Sequence, residues 1–306
     1  MNSRCHPLSV TATDVVEIDS LQVSFDAQIA PVARVDADTV VRFTTADETF
    51  RRMARGETLT EAEYATANAV AGPLWVNGAE PGDALRVEIL DIEIASAWVA
   101  WLQEFGPLGS LVDGTDVRQV EVLDSRVALG EGISVALDPM IGCVGVAPAN
   151  GKASTMRPVY RTGGNLDLRE LRPRAVIWLP VEVEGALLSV GDLHAAMGQG
   201  EPAFVAIEAA GSATVRVGLD KQKPLPGPRV RIEGATVCVG LGESFPMARR
   251  SAVQQAYELL HDDHGLAPRT AYAYLCASVS LMPAGPSGSM VDGGLEAVVA
   301  VVPDPR

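Results

Sequence analysis

Between residues 15 and 136 apolar and polar side chains tend to alternate in short runs, and turn residues break each run after a few steps. A period of two puts successive side chains on opposite faces of an extended chain, so the pattern fits half-buried strands and not helices. Segment 15–43, VVEIDSLQVSFDAQIAPVARVDADTVVRF, reads as successive strands. Segment 72–95, GPLWVNGAEPGDALRVEILDIEIA, reads as two strands joined by a tight turn at Pro81-Gly82. Further strands are expected near 118–127 and 133–136, after the loop EFGPLGSLVDGTD. This spacing favours a mainly β sandwich or barrel over alternating β/α units.

Two stretches break the period. Segment 46–69, ADETFRRMARGETLTEAEYATANA, is rich in Glu, Ala and Arg and suits one or two short exposed helices inserted between strands. Near the end, Ala252, Val253, Ala256, Leu259 and Leu260 recur at helical spacing; Gly265 marks a stop, and Pro268 suits the first turn of a second helix. The expected organisation is a β region over 1–220, carrying the site motifs, and an α+β region over 221–306 interlocked with it.

With 306 residues, 47% of them hydrophobic, the chain can bury a sizeable core without staples. A formal net charge of −15 opposes binding to nucleic acid or an anionic membrane, since both need a basic surface. No apolar run approaches the roughly 20 residues needed to span a bilayer, and the first residues lack the pattern of a secretory signal, which makes the cytoplasm the expected compartment. Cys5, Cys143, Cys238 and Cys276 are far apart, and the last three sit among apolar residues, as buried free thiols do.

The chemistry concentrates in GALLSVGDLHAAMGQGEPAF, residues 185–204, where an apolar run suddenly carries Asp192, His194, Gln199 and Glu201. Asp192 and His194, two apart on a strand, project the same way, and a carboxylate with an imidazole suits a divalent metal or proton transfer. Gly198 and Gly200 let the backbone bend and return Glu201 to the same point. In RTGGNLDLREL, Asn165 and Asp167 form a second pair beside Gly163 and Gly164, whose amides could stabilise an oxyanion. A plain structural reading stands beside this one: Gly191-Asp192 as a turn, His194 as a bonded core histidine, Asn165 and Asp167 as local caps. His261 and His264 face one side of a helix and, with Asp262 and Asp263, could hold a metal or simply end the helix. Nucleophile elbows, phosphate loops, Cys-x-x-Cys and His-Glu-x-x-His are absent.

Four ordered blocks give the chain a resemblance to the acetamidase/formamidase family: residues 68–94, 140–151, 163–171 and 179–201. The resemblance implies a jelly-roll-like sandwich with a smaller α+β part, a homo-oligomer such as a dimer, and hydrolysis of short amides to carboxylate and ammonia. It also implies a divalent metal, zinc or calcium. Carried over, the family's Gly-Asp-x-His block falls on Asp192 and His194, its Gly-Gly-Asn-x-Asp block on Asn165 and Asp167, and its closing Glu on Glu201. Asp192, His194 and Asp167 are then the expected metal ligands, and Glu201 the proton carrier, acting with His194 and Asp192. Asn165, Gly164 and Gln199 are the expected substrate contacts.

The chain departs from that family where Gly-Asp-Gly-Glu becomes Gly198-Gln199-Gly200-Glu201, and where Asn77 replaces a common Glu while Glu80 remains. Both departures keep open a non-catalytic relative that binds a small polar ligand. Hydrolysis of a different carbon–nitrogen bond, as in a urea-like or larger amide, is a further alternative.

Overall fold

The computed structural model describes residues 15–64, 67–156, 160–285 and 295–305; Cys5 lies outside them. The alternating segments are strands, and the protein is mainly β. We label β1 (Val40–Thr44), β2 (Val70–Val76), β3 (Ala84–Trp101), β4 (Met140–Gly145), β5 (Gly163–Asn165) and β6 (Val176–Pro180). Then follow β7 (Leu188–Ala196), β8 (Ile207–Asp220), β9 (Arg229–Ile232), β10 (Ala235–Gly242), β11 (Ser280–Ala284) and β12 (Glu296–Pro303). Along the main sheet they run in the order β5-β4-β7-β8-β3-β6-β9-β10-β12-β11, with β2 beside β7 and β1 beside β8. All of these pairings are antiparallel.

The two regions anticipated at residue 220 therefore share one sheet, joined where β6 pairs with β9. One continuous apolar core gathers Phe43 of β1, Leu74 of β2, Ile89 of β3, Ile141 of β4, Leu193 of β7 and Val239 of β10. Strict alternation fails in β3, where the register with β8 shifts between Thr214 and Val215. The extra residue, Leu90, lets Ile89 and Ile92 both turn inward at a spacing of three, as a bulge does.

A second, smaller core lies between the sheet and helices α3 (Phe245–Glu258) and α4 (Pro268–Ser278). Ala248, Ala252 and Ala256 of α3 face β10, and a Cβ at Gly240 would collide with the helix backbone at Ala248 and Ala252. Small residues on both sides let helix and sheet approach closely. The expected stripe shifts slightly: Val253 is half-buried, while Gln255 is buried and its Nε2 donates to the Val239 carbonyl at 3.0 Å. Cys143 and Cys238 are buried, but Cys276 is exposed on α4, against the expectation of a packed thiol. Among the described residues no helix is long and apolar enough to cross a membrane.

The insertion forms helices α1 (Glu48–Ala54) and α2 (Glu61–Tyr64), and a buried carboxylate clasps the start of α1 to β3. Asp47, just before α1, accepts from Ser96 Oγ at 2.5 Å, Trp98 Nε1 at 3.0 Å and Arg51 Nε at 2.6 Å. Phe50 stacks on Trp98 with centroids 6.5 Å apart. Burial pulls the Asp47 carboxyl up, but the hydrogen bonds from Arg51, Ser96 and Trp98 outweigh it and hold it below the ordinary aspartate value. Such a group contributes stability above its unfolded pKa and loses it as pH falls through the folded one. Asp47→Ala should cost about 1–3 kcal/mol in urea unfolding at pH 7 and speed proteolysis within 48–64. The wild type's advantage over this variant should shrink below about pH 4; equal stability of the two at pH 7 would remove the clasp.

Candidate active site

Four strands and a tight turn bring five ionisable side chains together: Asp192, His194, Glu201 and Glu208 line one cavity, and Asp167 is buried against His194. His194 lies on β7, and the β7–β8 register sets Glu208 directly across from it. Asp192 lies two residues before His194 with φ of 55°, a left-handed kink inside the strand, so the pair meets through a local distortion and not through simple alternation. Asp167, just past β5, also has positive φ, 42°. Its backbone N–H donates to the Gly142 carbonyl of β4 at 3.0 Å. The turn 198–201 returns Glu201, whose N–H donates to the Gly198 carbonyl at 3.1 Å.

His194 Nε2 is the centre of the group: Asp192 Oδ1 at 3.4 Å, Glu208 Oε2 at 3.6 Å and Asp167 Oδ1 at 3.9 Å. The side chains of His194 and Asp167 are each 1% exposed. One ligand atom each from Asp167, His194 and Glu201, and likewise from Asp192, His194 and Glu208, falls within 4.8 Å of the others. β4 passes beneath with Gly142, where a Cβ would sit 2.5 Å from Asp192 Oδ2 and 2.7 Å from Asp167 Oδ1. Only glycine leaves room there for two carboxylates.

The electrostatics follow from burying like charges together. Burial, with the neighbouring Glu201 and Asp192, pushes the Asp167 carboxyl well above the ordinary range. Burial, with Glu208 and Asp192, does the same to Glu201. Burial also raises Glu208, against the pull of His194. For His194, burial alone would lower the pKa; Glu208, Asp192 and Asp167 outweigh it and raise it to about 10. Both Asp167 carboxylate oxygens and His194 Nδ1 are buried without a hydrogen-bond partner. Orphaned donor atoms at an acidic cluster are the pattern of a cation site, since a divalent ion satisfies them and offsets the repulsion.

Above this floor Asn68 Nδ2 donates to Asn165 Oδ1 at 3.2 Å and to the Thr155 carbonyl, also at 3.2 Å. With its oxygen engaged, Asn165 has Nδ2 as the atom to donate to a ligand. Asn165, Asp192, His194, Glu201 and Glu208 all line the cavity. Thus the two motif pairs and Glu201 converge as expected.

Glu208 and Asn68 were missed. Each stands alone in the sequence, and only strand pairing and loop packing carry it to the site. Two expected substrate contacts stand elsewhere. Gln199 is half-buried outside the cavity lining, its Nε2 donating to the Pro283 carbonyl at 3.1 Å. Gly164 is also off the lining: it pairs with Val144 on β4, and a Cβ there would press on Tyr160 at 3.2 Å. The Gly163 N–H is already donated to the Tyr160 carbonyl. Close strand packing, not an oxyanion pocket, accounts for these glycines. Asn77 is likewise remote, donating to Asp36 Oδ1 on the surface. His261 is half-exposed and contacts the Leu266 carbonyl through Nδ1 at the end of α3, while His264 is exposed.

An excess of buried carboxylates disfavours the folded state as pH rises from the unfolded carboxylate range toward the raised folded values. In cation-free protein at pH 7, Asp167→Asn should therefore raise stability by on the order of 1 kcal/mol, a few degrees in Tm. A lower Tm would mean that the Asp167 charge is compensated within the chain. Gly142→Ala should do the reverse, costing about 1–3 kcal/mol by overpacking, with calorimetry as the check.

Comparison with known proteins agrees with this architecture. The acetamidase/formamidase family model matches residues 15–150 and 107–281. A formamidase of Methylophilus methylotrophus is 30% identical over 221 residues, 53% of this chain and 53% of its own. An acetamidase of Mycolicibacterium smegmatis is 45% identical over 76 residues, 24% of this chain and 18% of its own. The chain thus spans about half the length, or less, of these curated relatives. The crystal structure of an acetamidase from Bacillus halodurans superposes with a TM-score of 0.83 at 27% identity, covering 94% of this chain and 97% of that one. An acetamidase structure from Yersinia enterocolitica, at 23% identity, covers 95% and 93% with a TM-score of 0.81 and speaks for the fold alone.

Proposed function

The chain belongs to the acetamidase/formamidase family, and from that premise we propose that it hydrolyses a linear primary amide of the formamide or acetamide type to a carboxylate and ammonia. The observation that carries this reading is the convergence of Asp192, His194, Glu201 and Glu208 on one cavity lined also by Asn165, with buried Asp167 against His194. The binding-only reading rested on Gln199 and Asn77, and neither lines the cavity.

In this mechanism Asn165 Nδ2 donates to the amide carbonyl oxygen, with Asn68 fixing the orientation of its side chain. Glu201, raised by burial and by Glu208 and Asp192, takes a proton from the attacking water as it adds to the carbonyl carbon. It returns that proton to the nitrogen as the C–N bond breaks and ammonia leaves. A carboxyl raised above the ordinary range by burial is a stronger base toward water, and its conjugate acid can return the proton to the departing nitrogen.

Two donor sets share His194, Asp167–His194–Glu201 and Asp192–His194–Glu208, and their chemistry fits a divalent cation; held by the second set, it would leave Glu201 free for proton transfer. Imidazole with carboxylates suits zinc better than calcium, which prefers six to eight oxygens. When bound, such an ion supplies Lewis-acid polarisation of the carbonyl and charge compensation for the cluster.

A cytoplasmic, homo-oligomeric enzyme completes the proposal. It is supported by the acidic charge, the buried free thiols, and the exposed Trp101, Leu108 and Leu111, which a second copy would cover; sedimentation equilibrium tests the dimer.

Glu201→Gln should lower kcat for ammonia release by roughly 10²- to 10⁴-fold with an unchanged circular dichroism spectrum. A near-normal rate would remove Glu201 from the proton path. Dialysis against a chelator should abolish release and zinc should restore it; full activity in protein shown to hold no metal would exclude the cation.

A further inference from the structure

The cavity above the acidic floor is walled mainly by apolar side chains. Phe50 and Met53 come from α1, Leu102 and Phe105 from the loop after β3, Met156 from the loop before β5, and Phe204 from the turn after Glu201. All six are half-buried, and Phe105 and Phe204 pack edge to face with centroids 6.4 Å apart. The cavity measures about 130 Å³. A water-sized centre takes roughly 10–15 Å³, so the space suits on the order of ten heavy atoms, whereas formamide has three.

Charge narrows the class further. Among the described residues lining the cavity there is no Lys or Arg, and every carboxylate and imidazole lies at the floor, with the Tyr64 phenol of α2 the remaining ionisable group. An acyl chain ending in a carboxylate would be desolvated against apolar walls, with no cationic partner among the described lining residues, and repelled by the acidic floor. An uncharged hydrocarbon group instead removes both its own surface and that of the walls from water.

Resting on the amide-hydrolase reading above, we infer that the preferred substrate is the primary amide of an uncharged, bulky apolar acid, an arylacetyl or branched alkanoyl amide, with Phe50, Met53, Leu102, Phe105, Met156 and Phe204 setting that specificity. The amide group meets Asn165 and Glu201 while the acyl group lies against the six side chains. Water adds to the carbonyl and ammonia leaves as for any amide, so no further reactant is needed.

The experiment compares ammonia release from formamide, acetamide, hexanamide, phenylacetamide and succinamate by the zinc-loaded protein. One buried methylene is worth about fourfold, so kcat/KM for phenylacetamide should exceed that for acetamide by roughly 10²-fold or more, mostly through KM, with succinamate the poorest. The highest kcat/KM on formamide or acetamide overturns the inference while leaving the hydrolase reading intact. Phe105→Gln should reduce the phenylacetamide-to-acetamide ratio by about tenfold; a folding defect would lower both rates together and leave the ratio, which would overturn the role of that wall. If no amide releases ammonia, the hydrolase reading fails, and the walls are tested by binding. Phenylacetamide must then raise Tm more than acetamide at equal concentration, and equal shifts overturn the inference.

Discussion

Like charges held together out of water are the constraint on which the rest of this structure depends. Asp167, Asp192, Glu201 and Glu208 crowd around His194 at the bottom of a cavity, and one imidazolium cannot neutralise four carboxylates. Burial and mutual repulsion raise the Asp167, Glu201 and Glu208 carboxyls, which favours bound protons where no other positive charge offsets them. A fold built for stability alone would put apolar side chains there. The antiparallel core opposes the cost by fixing β4, β7 and β8 rigidly enough that the carboxylates do not separate.

Several unusual local features belong to the same constraint. Left-handed backbone at Asp167, Asp192 and Glu201 turns each carboxylate inward at some conformational cost. Gly142 clears the space beneath two of them. The helices α1 and α2 contribute to the cavity from outside the sheet, and Asp47 ties α1 to β3 by the opposite electrostatic arrangement, a carboxylate lowered because three donors satisfy it. The protein thus holds one buried aspartate, Asp47, fully partnered to fix a roof and another, Asp167, without partners at the site.

How much of this was legible in the sequence depended on distance along the chain. The two-residue period located strands, and the insertion at 46–69 stood out as helical because its composition changed. Asp192, His194 and Glu201 lie within one short motif, so glycine-assisted bending was enough to bring them together, and Asn165 with Asp167 formed a second motif of the same form. Glu208 was invisible because nothing around it in FVAIEAAG differs from an ordinary strand; its place is set by pairing with His194 across β7 and β8. Gln199 shows the converse error: proximity in sequence to Glu201 suggested a shared cavity, but a single tight turn points it at Pro283 instead. Of the aromatic walls, Phe204 closes the motif that carries Glu201, whereas Phe50 and Phe105 come from segments that alternation and motif spacing do not relate to the site.

The proposed divalent cation would enter the buried cluster in exchange for protons. Calorimetric titration of zinc into cation-free protein, repeated in buffers of different ionisation enthalpy, tests this most directly. The account predicts one tight site per chain, with an observed enthalpy that changes with buffer because protons are released on binding. Absence of binding, or binding whose heat does not depend on the buffer, would contradict it.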